Sequence, residues 1–125
     1  MKPYALIALF CLTSFTFFSC KKEEVIENAK ITGYVKHHET HIPSATVYIK
    51  VGATEYPGAN ASDYDRQTTA SVENGHFTFD KLASGNYYVY SVGYDSTLSE
   101  IVRGGIPIKI SDGSETKSID IPVTE

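Results

Sequence analysis

The sequence predicts an all-β fold, an antiparallel or mixed β-sandwich of about seven short strands in residues 29–125. Apolar and polar residues alternate with a period of two over most of this region, which is the pattern of half-buried strands. No window in it carries the apolar stripe of an amphipathic helix. Turn-forming pairs such as Asn-Gly and Asp-Gly separate the alternating segments at short intervals, which is typical of two packed sheets.

The first two predicted strands span residues 29–37 and 45–51. Pro43 lies in the connection between them, because proline cannot donate to the ladder of a central strand. The side chains predicted to face the core are those of Ile31, Val35, Ala45, Val47, Ile49 and Val51, with Gly33 at the centre of the first strand.

The third and fourth predicted strands, 67–72 and 76–79, flank an Asn-Gly pair at 74–75. Asn-Gly between alternating segments is a strong signal for a two-residue hairpin. The sequence therefore predicts that these strands are adjacent partners. Phe77 and Phe79 are expected to share the core face.

The remaining strands follow a turn at residues 81–86. A tyrosine-rich strand is predicted over 87–94, and two further strands over 106–110 and 116–123. An Asp-Gly pair at 112–113 provides the turn between the last two.

Four segments in this order resemble the carboxypeptidase regulatory-like domains, which are prealbumin-like sandwiches related to the collagen-adhesin B-type repeats. The segments are Ile-Thr-Gly-Tyr-Val at 31–35, Ile-Pro-Ser-Ala-Thr-Val-Tyr at 42–48, Glu-Asn-Gly-His-Phe-Thr-Phe at 73–79 and Leu-Ala-Ser-Gly-Asn-Tyr-Tyr-Val at 82–89. The resemblance covers residues 30–123 and implies a transthyretin-like sandwich. Segments 93–95 and 104–108 look like a lipoprotein subgroup of that family.

The resemblance does not imply that this chain has enzymatic activity. In the carboxypeptidases this sandwich is an accessory to a separate zinc domain, and that domain is missing here. A catalytic relative of the fold, the hydroxyisourate hydrolase, uses a Tyr-Arg-Gly-Ser motif that this sequence does not contain. We therefore expect neither catalysis nor a cofactor.

The N-terminal region has the organisation of a bacterial lipoprotein precursor. Lys2 is followed by an apolar stretch at 4–18, and the small residue Ser19 precedes Cys20. The sequence predicts a signal peptide at 1–19, cleaved so that Cys20 carries diacylglycerol and a further acyl chain such as palmitate, which together anchor the protein in the membrane. The apolar stretch is shorter than the roughly 20 residues of a transmembrane helix.

Ordinary secretion is the alternative to lipidation, because aromatic residues precede Ser19 where a lipoprotein signal usually has Leu and a small residue. Residues 20–28 are charged and free of aromatics, which indicates a solvated tether. The Lys-Lys-Glu-Glu run at 21–24 resembles an export signal to the outer surface of the outer membrane. Cell-surface and periplasmic orientations both remain open.

Cysteine content and charge exclude several classes of function. Cys11 leaves with the signal peptide and Cys20 carries lipid, so the folded domain has no disulfide and no thiolate metal site. Removal of Lys2 with the leader leaves 10 basic and 15 acidic residues, a net charge of −5. An acidic domain without a basic patch is not expected to bind nucleic acid.

Two groups of potential metal ligands are present, and we expect neither to hold a metal. The first comprises His37, His38 and His41, for which a solvated turn is the preferred interpretation. The second comprises Asp63, Asp65 and Asp95, whose spacing matches no calcium loop.

A long connection at residues 52–66 is the first candidate for ligand binding. Loops of this length in a compact domain are usually functional or disordered. Its candidate contact residues are Tyr56, Asn60, Asp63, Tyr64 and Asp65. The alternative is a flap that only packs over the sandwich.

The tyrosine strand is the second candidate. The family register directs Tyr87 and Val89 inward and leaves Tyr88, Tyr90 and Tyr94 on the outer face. Tyrosines offer rigid amphipathic surface that suits sugars or proteins. In the alternative interpretation the long loop covers them.

The leading functional interpretation is a lipid-anchored module of the cell envelope that docks onto an envelope protein. The alternative is a carbohydrate-binding accessory lipoprotein that uses an exposed tyrosine face. The absence of tryptophan counts against the second, because sugar platforms favour that residue.

Overall fold

The computed structural model describes residues 24–125, so the leader and Cys20 lie outside the described part of the chain. Eight strands form two sheets packed face to face, which confirms the predicted all-β sandwich. The strands are β1 (Ala29–His37), β2 (Thr40–His41), β3 (Thr46–Val51), β4 (Arg66–Thr69), β5 (His76–Leu82), β6 (Gly85–Asp95), β7 (Glu100–Ile110) and β8 (Thr116–Pro122), with a 3-10 turn at Ala61–Asp63 between β3 and β4. No helix of residues 24–125 is long and apolar enough to cross a membrane.

The first sheet is built around β1. Strand β8 runs parallel to β1 along one edge, and β5 and β2 pair with β1 antiparallel. The second sheet is antiparallel throughout, in the order β4-β3-β6-β7. Its longest pairing is the β6–β7 hairpin, which runs from Gly85 opposite Ile110 to Asp95 opposite Glu100.

The core lies between the two sheets and follows the predicted alternation, except that Val51, predicted to face the core, is 55% exposed at the end of β3. Phe77 and Phe79 both face the core, with ring centroids 6.2 Å apart. Other buried side chains are those of Ile31, Val35, Val47, Ile49, Tyr87, Val89, Val102, Ile108, Ile110 and Ile121. All of them belong to residues 29–125, so we expect this region to fold without the preceding chain.

Gly33 allows β8 to dock on β1. It lies opposite Ile119, and a Cβ at this position would stand 1.4 Å from the Ile119 carbonyl oxygen. Only a residue without a side chain permits that approach. Close packing of β8 on β1 therefore explains the glycine at the centre of the first predicted strand.

Three strand predictions need correction. Strands β4 and β5 do not form a hairpin: β4 pairs with β3 in the second sheet and β5 pairs with β1 in the first. The Asn-Gly pair at 74–75 instead carries the chain from one sheet to the other, with Gly75 at φ +70°. β7 begins at Glu100 rather than at residue 106, and the predicted connection after β1 contains the short strand β2.

Candidate functional site: two outer faces

The outer face of the second sheet carries a cluster of five tyrosines. Tyr48 of β3 and Tyr88 and Tyr90 of β6 belong to the sheet, and Tyr56 and Tyr64 come from the 52–66 loop. The Tyr64 ring stacks on the Tyr90 ring with centroids 5.7 Å apart and an interplanar angle of 6°. The Tyr56 ring lies 5.2 Å from that of Tyr90 and 6.2 Å from that of Tyr88. The loop therefore covers the predicted tyrosine face, and we call it the flap.

Burial differs sharply among the three predicted face tyrosines. Tyr90 is only 2% exposed, Tyr88 is half-buried, and Tyr94 is 52% exposed near the end of β6. The hydroxyl of Tyr90 makes no hydrogen bond of good geometry within the described residues, and the Tyr56 and Arg103 side chains are its polar neighbours. Burial, with a contribution from Tyr56, raises the pKa of Tyr90 to about 12.

The polar residues of the flap are used to hold the flap itself. The Asp65 carboxylate accepts a hydrogen bond from the Val51 amide at 2.7 Å, and Asp63 accepts one from the Asn60 amide at 3.1 Å. The Tyr64 hydroxyl donates to the Gly58 carbonyl at 2.7 Å. These contacts support the flap interpretation over a ligand loop.

The outer face of the first sheet is open and carries a different aromatic group. Tyr34 of β1 stacks on His41 of β2, with ring centroids 4.5 Å apart and an interplanar angle of 18°. Its edge meets His76 of β5 at 5.1 Å. The Thr32 hydroxyl lies 2.9 Å from Nε2 of His76. Hydrogen bonding and stacking thus fix the positions of Tyr34 and His76.

A groove of about 250 Å³ lies beside this aromatic group, and we call it the Tyr34 groove. Its lining residues are Thr32, Gly33, Tyr34, His76, Ser118, Ile119 and Asp120. His41, which stacks on Tyr34, is not among them. The site combines an aromatic surface with hydroxyl, imidazole and carboxylate groups.

A second groove of about 360 Å³ adjoins the first at Asp120, and we call it the β8-edge groove. Its other lining residues are Lys36, His38, Ile106, Pro122, Val123 and Thr124. The Lys36 ammonium pairs with Oδ2 of Asp120 at 3.0 Å. An ion pair therefore stands between the two grooves.

The side chains in the two groups of potential metal ligands do not come together to form a metal site. His37 is buried rather than solvated, and its Nδ1 lies 2.8 Å from Oδ2 of Asp95. This pair joins the first sheet to the second, and hydrogen bonds from Thr97 and His37 lower the pKa of Asp95 to about 2. Within residues 24–125 no three His, Cys, Asp or Glu side chains are placed to hold a metal ion.

The Tyr34 groove was not predicted from the sequence. Tyr34 and His76 are directly opposite in the β1–β5 register, and Tyr34 and Asp120 in the β1–β8 register. The sequence predicted β4 as the partner of β5, so the pairing of His76 with Tyr34 of β1 was not expected. Alternation in the first strand places the side chains of Thr32 and Tyr34 on the outer face. This pattern could have identified the part of the groove that β1 contributes.

Comparisons with known proteins identify the fold and no family. No protein family model and no curated protein matches the chain. Among solved structures, a Pseudomonas aeruginosa protein proposed to bind carbohydrate has a similar fold, with a TM-score of 0.52 and 15% sequence identity. The match covers 79% of this chain and 90% of that one. The resemblance to carboxypeptidase regulatory-like domains stays a prediction.

Proposed function

We propose that this chain is a lipid-anchored, non-catalytic carbohydrate-binding module of the bacterial cell envelope, and that the Tyr34 groove binds the sugar. The observation that carries the proposal is an aromatic surface with polar side chains around it in an open groove. It replaces the exposed tyrosine face of β6 as the expected binding surface, because the flap covers that face.

The chemistry of the groove suits a pyranose. A sugar ring has an apolar C–H face that packs on an aromatic ring and a rim of hydroxyls that donate and accept hydrogen bonds. Tyr34 offers the ring surface. Ser118 supplies a hydroxyl and Asp120 supplies acceptor oxygens. The Thr32 hydroxyl is engaged with His76, Thr78 and the Phe77 carbonyl, so Thr32 shapes the groove. His41 and His76 hold Tyr34 in place, which lowers the entropy lost on binding.

The structural neighbour gives independent but distant support. It is proposed to bind carbohydrate, and it shares the fold over most of both chains. Fold similarity does not transfer a binding site. The proposal therefore depends on the residues of this groove.

A glycan array followed by calorimetric titration tests the proposal on residues 24–125. We expect Tyr34→Leu to weaken glycan binding about tenfold or more, a loss of about 1.4 kcal/mol. The matched variant Tyr94→Leu removes an exposed tyrosine from the other sheet and is expected to bind normally. Loss of binding in Tyr94→Leu alone would move the site to β6, and absence of glycan binding would reject the carbohydrate proposal.

The membrane anchor is tested separately. In cells, Cys20→Ala is expected to abolish incorporation of labelled palmitate and to release the protein from the membrane fraction. Protease treatment of intact cells then distinguishes a surface location, where the domain is digested, from a periplasmic one. A Cys20→Ala protein that stays labelled and membrane-bound would contradict lipidation.

Docking onto an envelope protein is the second candidate function. The observation that favours it is a group of exposed apolar side chains at the tip of the β6–β7 hairpin. Tyr94, Leu98 and Ile101 are each more than half exposed, and Tyr94 lies opposite Ile101. A photo-crosslinker at position 98 tests this candidate, with position 34 as the control. A specific adduct only at position 98 supports it, and no adduct at either position rejects it.

A further inference from the structure

The two grooves are neighbours along β8. Asp120 lines both of them, and Ser118, Pro122 and Thr124 of the same segment line one or the other. A strand rises about 3.3 Å per residue, and the path from Ser118 to Thr124 therefore extends about 20 Å. This length is several times that of a single pyranose ring.

We infer that the ligand is a linear oligosaccharide that lies along β8, with one sugar unit in the Tyr34 groove and a neighbouring unit in the β8-edge groove. The inference rests on the proposed function and specifies its ligand. A monosaccharide would leave the second groove, the larger of the two, unused.

The two grooves offer different surfaces to the two sugars. The Tyr34 groove presents an aromatic ring and several hydroxyls. The β8-edge groove has an apolar floor of Ile106, Pro122 and Val123. Its polar lining groups, besides the shared Asp120, are Lys36, His38 and Thr124. The second sugar would therefore lay an apolar ring face on this floor.

Asp120 is placed to contact both sugars. Its Oδ2 is paired with the Lys36 ammonium at 3.0 Å, which fixes the carboxylate between the grooves. Its Oδ1 can then accept a hydrogen bond from a hydroxyl on either side. The ion pair balances the charge at the junction, so a neutral oligosaccharide fits this site better than a charged one.

Affinity as a function of chain length tests the inference. The probes are glucose-, xylose- and N-acetylglucosamine-based saccharides, from the monosaccharide to the tetrasaccharide, titrated into residues 24–125. For the series that binds, we expect the trisaccharide to bind at least about tenfold more tightly than the monosaccharide. His38→Asn should remove most of this gain without weakening the monosaccharide. Asn suits position 38 because His38 has φ +54° and Asn tolerates that conformation.

Control variants separate the two grooves. Tyr34→Leu should weaken every member of the series, and Glu39→Gln, in the same exposed turn as His38 but outside both grooves, should change none. Equal affinity for all chain lengths would overturn the oligosaccharide inference and leave carbohydrate binding intact. Failure of all probes to bind would overturn both.

Discussion

The outer faces of the two sheets both display tyrosines, but they are built differently. On the second sheet, Tyr88 and Tyr90 lie beneath the flap and contact other tyrosines. On the first sheet, Tyr34 is held by two histidines and borders an open groove. The first arrangement buries aromatic surface for stability, and the second leaves it available.

The polar groups around each tyrosine distinguish a buried aromatic face from an open one better than the number of tyrosines does. Around Tyr90, the loop carboxylates bond to backbone amides of the flap and of β3. Around Tyr34, the hydroxyls and Asp120 line a cavity. A dense row of tyrosines is therefore a weaker sign of a binding face than one tyrosine among unburied polar side chains.

The largest expected effect follows from Gly33, which supports the open face. Gly33→Ala would place a Cβ against the Ile119 carbonyl, so β8 could dock only after a backbone shift. We expect a loss of about 3 kcal/mol or more in the free energy of unfolding, measured with denaturant. Gly52→Ala is the control: its Cβ meets no atom within 4 Å, and with φ +79° it should cost only about 1 kcal/mol. Equal costs would contradict the close approach of β8.

The next effect concerns the His37–Asp95 pair that joins the sheets carrying the two faces. The pKa of Asp95 is lowered from 3.8 to about 2, chiefly by the Thr97 hydroxyl and by His37. A lowered carboxyl pKa stabilises the fold above pH 3.8, and this stabilisation is lost as the pH falls towards 2. We expect Asp95→Asn to reduce the loss of unfolding free energy that follows acidification below pH 3.8. Thr97→Val should move this loss to higher pH. If both variants lose stability at acid pH as the wild-type protein does, the His37–Asp95 pair does not hold the two sheets together.

Two buried tyrosines of β6 provide a matched test of the covered face. The Tyr87 hydroxyl donates to the Ala83 carbonyl at 2.6 Å, and the Tyr90 hydroxyl is buried and makes no hydrogen bond of good geometry within the described part of the chain. Tyr87→Phe should cost about 1 kcal/mol of unfolding free energy. Tyr90→Phe should cost nothing or stabilise by up to about 1 kcal/mol, because it removes an unsatisfied hydroxyl. A larger loss for Tyr90→Phe than for Tyr87→Phe would place a hydrogen bond at Tyr90.

The smallest expected effect is the alkaline titration of the tyrosine cluster. Burial raises the pKa of Tyr90 from 10.0 to about 12, so the closed flap favours the protonated phenol. The associated stability is present below pH 10 and is lost as the pH rises through 12. Tyr56→Ala should expose Tyr90 and shift part of the tyrosinate absorbance to lower pH. An unchanged titration would mean that the flap does not shield Tyr90.

Alternation along the chain predicted most of the side chains that face the core, including Ile31, Val47 and Phe77. It was wrong at Val51, which is exposed because β3 ends there. It could not assign strand partners, because inward and outward positions look the same in either sheet. The Asn-Gly pair at 74–75 shows the consequence: Gly75 has the positive φ of a tight turn but Asn74 does not, and the pair connects two sheets. The glycine pair at 104–105 interrupted the pattern of β7 and hid its first half.

The candidate site was predictable only in part, for the same reason. The outward direction of Tyr88, Tyr90 and Tyr94 followed from the strand period, but their burial depends on where the flap folds back. The Tyr34 groove needs three strands in register, and one of the pairings is parallel and distant in sequence. No local pattern specifies that pairing.

Mapping of ligand contacts by amide chemical shifts tests directly whether the Tyr34 groove binds the sugar. Residues 24–125 are titrated with the tightest saccharide of the array, and the shifts are assigned along the chain. We expect the largest changes on Thr32, Tyr34, His76 and the 118–124 segment, with β6 and the flap unchanged. Changes concentrated on Tyr56, Tyr88 and Tyr90 would contradict this expectation, because the flap would then open to admit the sugar.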